Sequence, residues 1–171
     1  VITPITELVV RSPEKIEVEG RILPCRIGRG GISPTGKKRE GDLKTPSGSF
    51  AMRACYFRPD RVIPKASGLK FIELARNDGW CDDAADPMYN KPVKLPYAAR
   101  HEQLWRDDFV YDLIIPLGYN DGPIVPGRGS AIFMHIMRPD GLGTEGCIGL
   151  AKEDLLALLP RFSPQTMVVI A

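Results

Sequence analysis

The sequence predicts a mainly β domain with few short helices and one long irregular excursion. Three observations carry that prediction. Seventeen glycines and sixteen prolines are spread along 171 residues, which divides the chain into many short segments separated by turns. The apolar segments between them are short and rich in β-branched and aromatic residues, the side chains that suit a pleated surface. Only one segment, near the C-terminal end, carries a helical spacing of apolar positions. The length suits a single domain spanning residues 1–171, and 43% hydrophobic residues supply a sizeable core.

Taken in order, "TELVV" and "KIEVEGRILPCRIG" read as strands, with Ile16 and Val18 on one face of the second segment. "GRGGISPTGKKREGDLKTPSGSF" is turn-rich. "GSFAMRACYF" and "LKFIELA" are further strand candidates. Residues 77–108 read as the irregular excursion, with a helical turn near His101 to Trp105. An ordered loop of that length tends to be functional, so a lid or cap is expected there. "FVYDLIIPLGY" and "SAIFMHIM" are apolar enough for central strands buried on both faces. "AKEDLLALLPRF" is the helix, with Leu155, Leu156, Leu158 and Leu159 as its apolar positions and Pro160 as its stop. "QTMVVIA" closes the chain as a strand.

Composition narrows the function. A net charge of +2, with both signs interspersed, argues against nucleic acid as a partner. The cluster Lys37, Lys38 and Arg39 reads as a solvated turn. No apolar run approaches the ~20 residues of a membrane span. The opening "VITPITELVV" lacks the basic start of a signal peptide, and a first residue of Val fits a processed or trimmed chain, which leaves the compartment open. The four cysteines, Cys25, Cys55, Cys81 and Cys147, have no C-x-x-C spacing, and the chain holds only two histidines. No metal and no cofactor are expected from that pattern. "GRGG" at 28–31 lacks the lysine of a phosphate loop.

The chemistry concentrates in "FMHIMRPDGLGTEGCIGL", residues 133–150. A lone buried cysteine or a lone strand histidine is ordinary. Together they mean more. His135 sits among apolar neighbours in a strand, the loop "RPDGLGT" follows, and "GCIGL" returns the chain. Gly146 and Gly149 allow close backbone approach beside Cys147. Backbone N–H groups around the thiol, from Gly146 to Ile148, are candidates for holding an oxyanion. A histidine beside a cysteine favours the thiolate, which is the nucleophile. If Cys147 is that nucleophile, at most one disulfide remains among the other three cysteines.

These residues resemble the L,D-transpeptidase catalytic (YkuD-like) domain family. The family signature is a histidine at a strand end, a loop, then Ser/Thr-His-Gly-Cys. Here the matching positions are His135, Thr144, Gly146 and Cys147. "EGDLKTPSGSF" (40–50) is similar to the family's Thr-Pro-x-Gly-x-Phe segment, and "WRDDFVYDLIIPLGYN" and "PGRGSAIFMHI" resemble the bacterial branch whose active site reads Thr-x-Gly-Cys. Glu145 stands where the family usually carries a second histidine, and Gly149 stands where an Asn or Arg often follows.

The resemblance implies a β-sandwich-like fold with a groove and a cysteine acyltransferase acting on peptidoglycan stem peptides. Cys147 would attack an L,D-peptide bond and pass the acyl group to an amine or to water, with His135 as base. It also implies a periplasmic or cell-envelope location and acylation by carbapenem-type β-lactams. On that frame Arg138 is either a substrate-carboxylate ligand or the partner of Asp140. Glu145 either orients His135, holds a substrate amine, or faces solvent. Tyr119 and Asn120 either line the groove or serve an Asn-Asp-Gly turn. Trp80, Tyr89 and Trp105 belong to a lid or to core packing, and His101 reads as a surface residue.

Three competing functions are an L,D-carboxypeptidase or amide hydrolase on the same substrate, a papain-like peptidase, and a non-catalytic wall-binding module. Peptidases of the papain type place Cys before His and at a helix start, whereas here His comes first and the pattern is β. The presence of both His135 and Cys147 weighs against a decayed site.

Overall fold

The computed structural model describes residues 1–171. The strands are β1 (Glu7–Arg11), β2 (Lys15–Val18), β3 (Arg21–Arg26), β4 (Ile32–Ser33), β5 (Thr45–Pro46), β6 (Gly48–Ala51), β7 (Cys55–Phe57), β8 (Phe71–Glu73), β9 (Asp78–Cys81), β10 (Pro92–Lys94), β11 (His101–Gln103), β12 (Leu113–Pro116), β13 (Phe133–Ile136), β14 (Ile148–Leu150) and β15 (Met167–Ile170). One α-helix, α1 (Lys152–Leu158), runs into a 3-10 turn at Leu159–Arg161. No helix is long and apolar enough to cross a membrane.

Ten strands form one curled sheet in the order β6-β15-β1-β2-β3-β14-β13-β12-β7-β8. The bend falls at β3. Residues 21–24 of β3 pair with β2, and Cys25 and Arg26 pair with β14. The strands on either side of β3 thus form two wings, as in a sandwich, sharing a core of 25 buried residues. Leu8 and Val10 of β1, Ile16 and Val18 of β2, and Val168 and Ile170 of β15 enter it from one wing. Leu113, Ile115, Met134, Ile136, Ile148 and Leu150 enter from the other. The β2–β3 hairpin turns at Glu19 and Gly20, both at positive φ (49° and 80°), the geometry that matches strand twist in a two-residue connection. Helix α1 contributes Leu155 and Leu158 to the core and ends just before Leu159 and Pro160, whose ring cannot continue it.

β12 and β13 are buried along every residue because both faces are covered. Alternation divides their side chains. Leu113, Ile115, Met134 and Ile136 face the main core, while Ile114, Phe133 and His135 face the other way. That second face is covered by the three-stranded sheet β10-β9-β11 and carries a smaller apolar cluster that includes Trp80, Leu104, Tyr111, Phe133 and Cys147.

The excursion at 77–108 therefore differs from its expectation. It carries β9, β10 and β11, and His101–Gln103 is a strand where a helical turn was expected. Its strands are three or four residues long and interrupted by prolines, too brief to establish a period. "GSFAMRACYF" is also divided, into β6 at one edge of the large sheet and β7 near the other.

Candidate active site

β13 and β14 run parallel in register, with His135 opposite Gly149 and Met134 opposite Ile148. Cys147, one residue before β14, therefore falls beside Phe133, on the face that also carries His135. Both side chains open into one groove of about 310 Å³. The groove is also lined by Arg29, Lys38, Glu40, Asp82, Glu102 and Tyr111 among others.

Cys147 is 9% exposed. Its Sγ donates to the Ala131 carbonyl at 3.1 Å and accepts from the Phe133 N–H at 3.4 Å. Burial pushes the thiol well up, with Glu102 and Glu145 adding to the effect and the Phe133 N–H opposing it. His135 is 4% exposed. Its Nδ1 lies 2.8 Å from the Ile136 carbonyl. A carbonyl can only accept, so Nδ1 carries the hydrogen and Nε2 keeps its lone pair. Burial lowers His135 to about 4, against the pull of the Ile136 carbonyl. At neutral pH the pair rests as a neutral thiol and a neutral imidazole. The Tyr111 ring meets the His135 ring edge-on at 5.4 Å.

The turn before the thiol is tied by Thr144. Its hydroxyl accepts from the Gly146 N–H at 3.0 Å and donates to the Cys147 carbonyl at 2.6 Å. Gly146 lies at φ 146°, and a Cβ there would meet the Lys44 carbonyl oxygen at 2.9 Å. Only glycine fits there. The Gly146 N–H is thus taken by Thr144, whereas the Cys147 N–H has no acceptor in the protein. Ile148 turns its side chain into the main core.

Other expected residues fall as follows. Arg138 forks onto Asp140, with its Nη2 at 2.6 Å from Oδ2, at the groove edge. Glu145 has a side chain 79% exposed, 3.6 Å from Arg29, and does not orient His135, whose Nδ1 is held by Ile136. Tyr119 is not in the Cys147 groove. It lines a neighbouring hollow with Phe50 and Arg128 and donates to the Arg128 carbonyl. Asn120 serves its turn, bonding Val125 and Gly129. Trp80 and Tyr89 are buried, and Trp105 lies beneath the Arg58 guanidinium at 3.6 Å. His101 is half-buried, with Nδ1 2.8 Å from the Ala99 carbonyl. All four cysteines are buried thiols without a disulfide.

The solvated turn expected at residues 37–39 is corrected at Lys38, which is 4% exposed and ion-paired to Asp42 at 2.5 Å. Glu40, in the same turn, accepts from the hydroxyls of Tyr89 (2.8 Å) and Ser130 (2.5 Å). Glu102 and Tyr111 had no motif to flag them. The Tyr111 hydroxyl donates to Glu102 Oε1 at 3.0 Å. The sequence carried no signal for Glu102, since its stretch, His101 to Trp105, read as a helical turn.

Fold and groove thus define a curled β domain that presents a thiol and an imidazole from parallel neighbouring strands. The chain belongs to the L,D-transpeptidase catalytic domain family, YkuD, whose model matches residues 7–170. The family acts on peptidoglycan stem peptides. Among solved structures, L,D-transpeptidase 3 from Mycobacterium tuberculosis is 11% identical with a TM-score of 0.48, covering 98% of this chain and 61% of its own. An L,D-transpeptidase from Mycobacterium smegmatis is 13% identical with a TM-score of 0.45, covering 96% and 58%. The chain thus spans less than two thirds of the length of either structure. No curated protein matches the sequence.

Proposed function

We propose that the chain is a peptidoglycan L,D-transpeptidase that works through a Cys147 acyl-enzyme. The observation that carries this reading is the placement of Cys147 and His135 on one face of paired strands, opening into one groove. The lone pair on His135 Nε2 takes the thiol proton as the sulfur attacks the carbonyl of an L,D bond in a stem peptide. Transfer during attack suits a pair that rests neutral, because neither charge has to exist alone in a buried site. The Cys147 N–H, which has no acceptor in the protein, donates to the oxyanion in this reading. The His135 proton then goes to the departing amine, leaving a thioester. Attack by an amine gives a cross-link, and attack by water gives a trimmed peptide. The substrate places the chain at the cell envelope.

The test is intact-mass spectrometry of the protein incubated with purified tetrapeptide muropeptides. A mass increase on Cys147, followed by a cross-linked product, is expected. Tripeptide release without any cross-link favours the carboxypeptidase alternative. No adduct and no product defeats the acyl-transfer reading.

A further inference from the structure

The charged side chains of the groove are almost all answered within the protein. Lys38 pairs with Asp42, Arg106 with Asp108, Arg138 with Asp140, Asp82 with Arg100, and Arg29 loosely with Glu145. The Glu40 carboxylate accepts two hydroxyls. Glu102 is the exception. Its Oε1 is held by Tyr111, but its Oε2 is sealed from solvent and has no hydrogen-bond partner. A buried carboxylate oxygen left unmatched is rare, and each such case calls for an explanation. Tyr111 holds this one in place while its ring lies against Phe133 and His135, so the carboxylate is fixed beside the thiol's own cluster. Glu102 lines the groove, and the terminal torsion of a glutamate is broad, so a modest rotation turns the edge of the carboxylate that carries Oε2 toward it.

We propose that Glu102 is the acceptor-amine residue of the groove, binding the incoming ammonium group and taking its proton. This rests on the acyl-transfer reading above and extends it to the second half-reaction. An alkyl amine enters as ammonium at neutral pH and cannot attack in that form. The ammonium gives one proton to the Glu102 carboxylate and becomes a neutral amine. Its nitrogen attacks the Cys147 thioester, forming a C–N bond and breaking the C–S bond. The second nitrogen proton passes through His135 Nε2 to the departing sulfur. The products are an amide, the Cys147 thiol and a protonated Glu102, which returns its proton to water. Glu145, exposed and paired with Arg29, is less suited to this role because solvent screens its charge.

The experiment uses Glu102→Gln, which keeps the shape and an acceptor for Tyr111. Tetrapeptide muropeptide serves as donor and a second muropeptide as amine acceptor. Acylation of Cys147, hydrolysis and transfer are measured separately. Expected are acylation within threefold of the wild type, at least a tenfold fall in the ratio of transfer to hydrolysis, and a raised KM for the acceptor. An unchanged ratio overturns the proposal, and so does loss of acylation, which would assign Glu102 to thiol activation. Should the variant not fold, the wild type decides. With an internal base, aminolysis falls less than tenfold per pH unit between pH 9 and 7. A full tenfold fall means that only free amine from solution reacts, and overturns the proposal. A wild type never acylated by muropeptide defeats the acyl-transfer reading itself, and this inference with it.

Discussion

Cys147 and His135 rest uncharged, and that shapes what their replacement does. Under the acyl-transfer reading, Cys147→Ala abolishes turnover and leaves the fold intact. His135→Gln keeps the polar contact to Ile136 but loses the base, and activity falls by ~10²–10⁴-fold. Alkylation of Cys147 near neutral pH should slow in parallel, and an unchanged alkylation rate would mean that the imidazole does not serve the thiol. A carbapenem carbonyl offers the same electrophile as the stem peptide. One drug mass should appear on the wild type and be absent from Cys147→Ala. The pair also leaves a signature in stability. The folded state holds His135 near 4, below its ordinary 6.5, so the unfolded chain binds more protons between those values. Stability from this source is present above 6.5 and is lost as the pH falls toward 4. Burial holds Glu102 up at about 7, above its ordinary 4.5, so its contribution has the opposite sign and is lost as the pH rises from 4.5 to 7. The two oppose each other between 4.5 and 6.5. Urea unfolding of His135→Gln should gain on the wild type by up to about 3 kcal/mol between pH 7 and pH 4. A constant difference across that range would show that His135 titrates normally. The sequence made Cys147 and His135 legible because glycine, strand and spacing all converge on them. It could not single out Glu102, because burial and the absence of a partner arise only when distant strands meet.

Among the elements, the small sheet β10-β9-β11 earns its place through one side chain. Asn90, buried at the end of the loop from β9, accepts from Trp80 Nε1 and the Ala131 N–H, each at 3.0 Å. It also donates to the carbonyls of Tyr119 and Asn120. It therefore fastens the excursion to the segment that leads into β13, and Ala131 is the residue whose carbonyl receives the Cys147 thiol. Asn90→Ala strands two buried donors at about 1–3 kcal/mol each. A loss of roughly 2–6 kcal/mol is expected in chemical unfolding, together with faster Cys147 alkylation. A loss under 1 kcal/mol would mean that water replaces the amide without cost. β12 and β13 and the helix α1 were readable from sequence, because they sit in the extended apolar stretches "FVYDLIIPLGY" and "SAIFMHIM" or in a helical period that persists over enough residues. β4, β5 and β9 to β11 were not, since these short strands lie in polar sequence broken by Gly and Pro and are specified by their partners rather than by themselves. Lys38 misled for a related reason. Its neighbours Lys37 and Arg39 look like solvent-facing residues, and only Asp42 and the fold of that turn draw its ammonium inward.

At the scale of the whole molecule, the sheet is completed by its last strand. β15 lies between β6 and β1, antiparallel to the first and parallel to the second. Val168 and Ile170 enter the main core from it, and Thr166 bonds the Ile5 carbonyl at 2.7 Å. A chain ending at Gln165 should therefore lose cooperative unfolding altogether, measured by circular dichroism on heating; retention of a sharp transition would show that β15 is an accessory. The birth order of the strands has a further consequence. During synthesis β1 and β6 emerge early and wait for β15, β1 with one unpaired edge and β6 with no partner strand at all. Closure of the sheet thus waits for β15, and pairings this remote in sequence are slow to form. Until then the nascent chain carries the unpaired edges of β1 and of a detached β6. On a crowded polysome, the nearest strand of matching sequence belongs to the neighbouring copy, so exchange of β15 between copies is the misassembly to which this topology is most exposed.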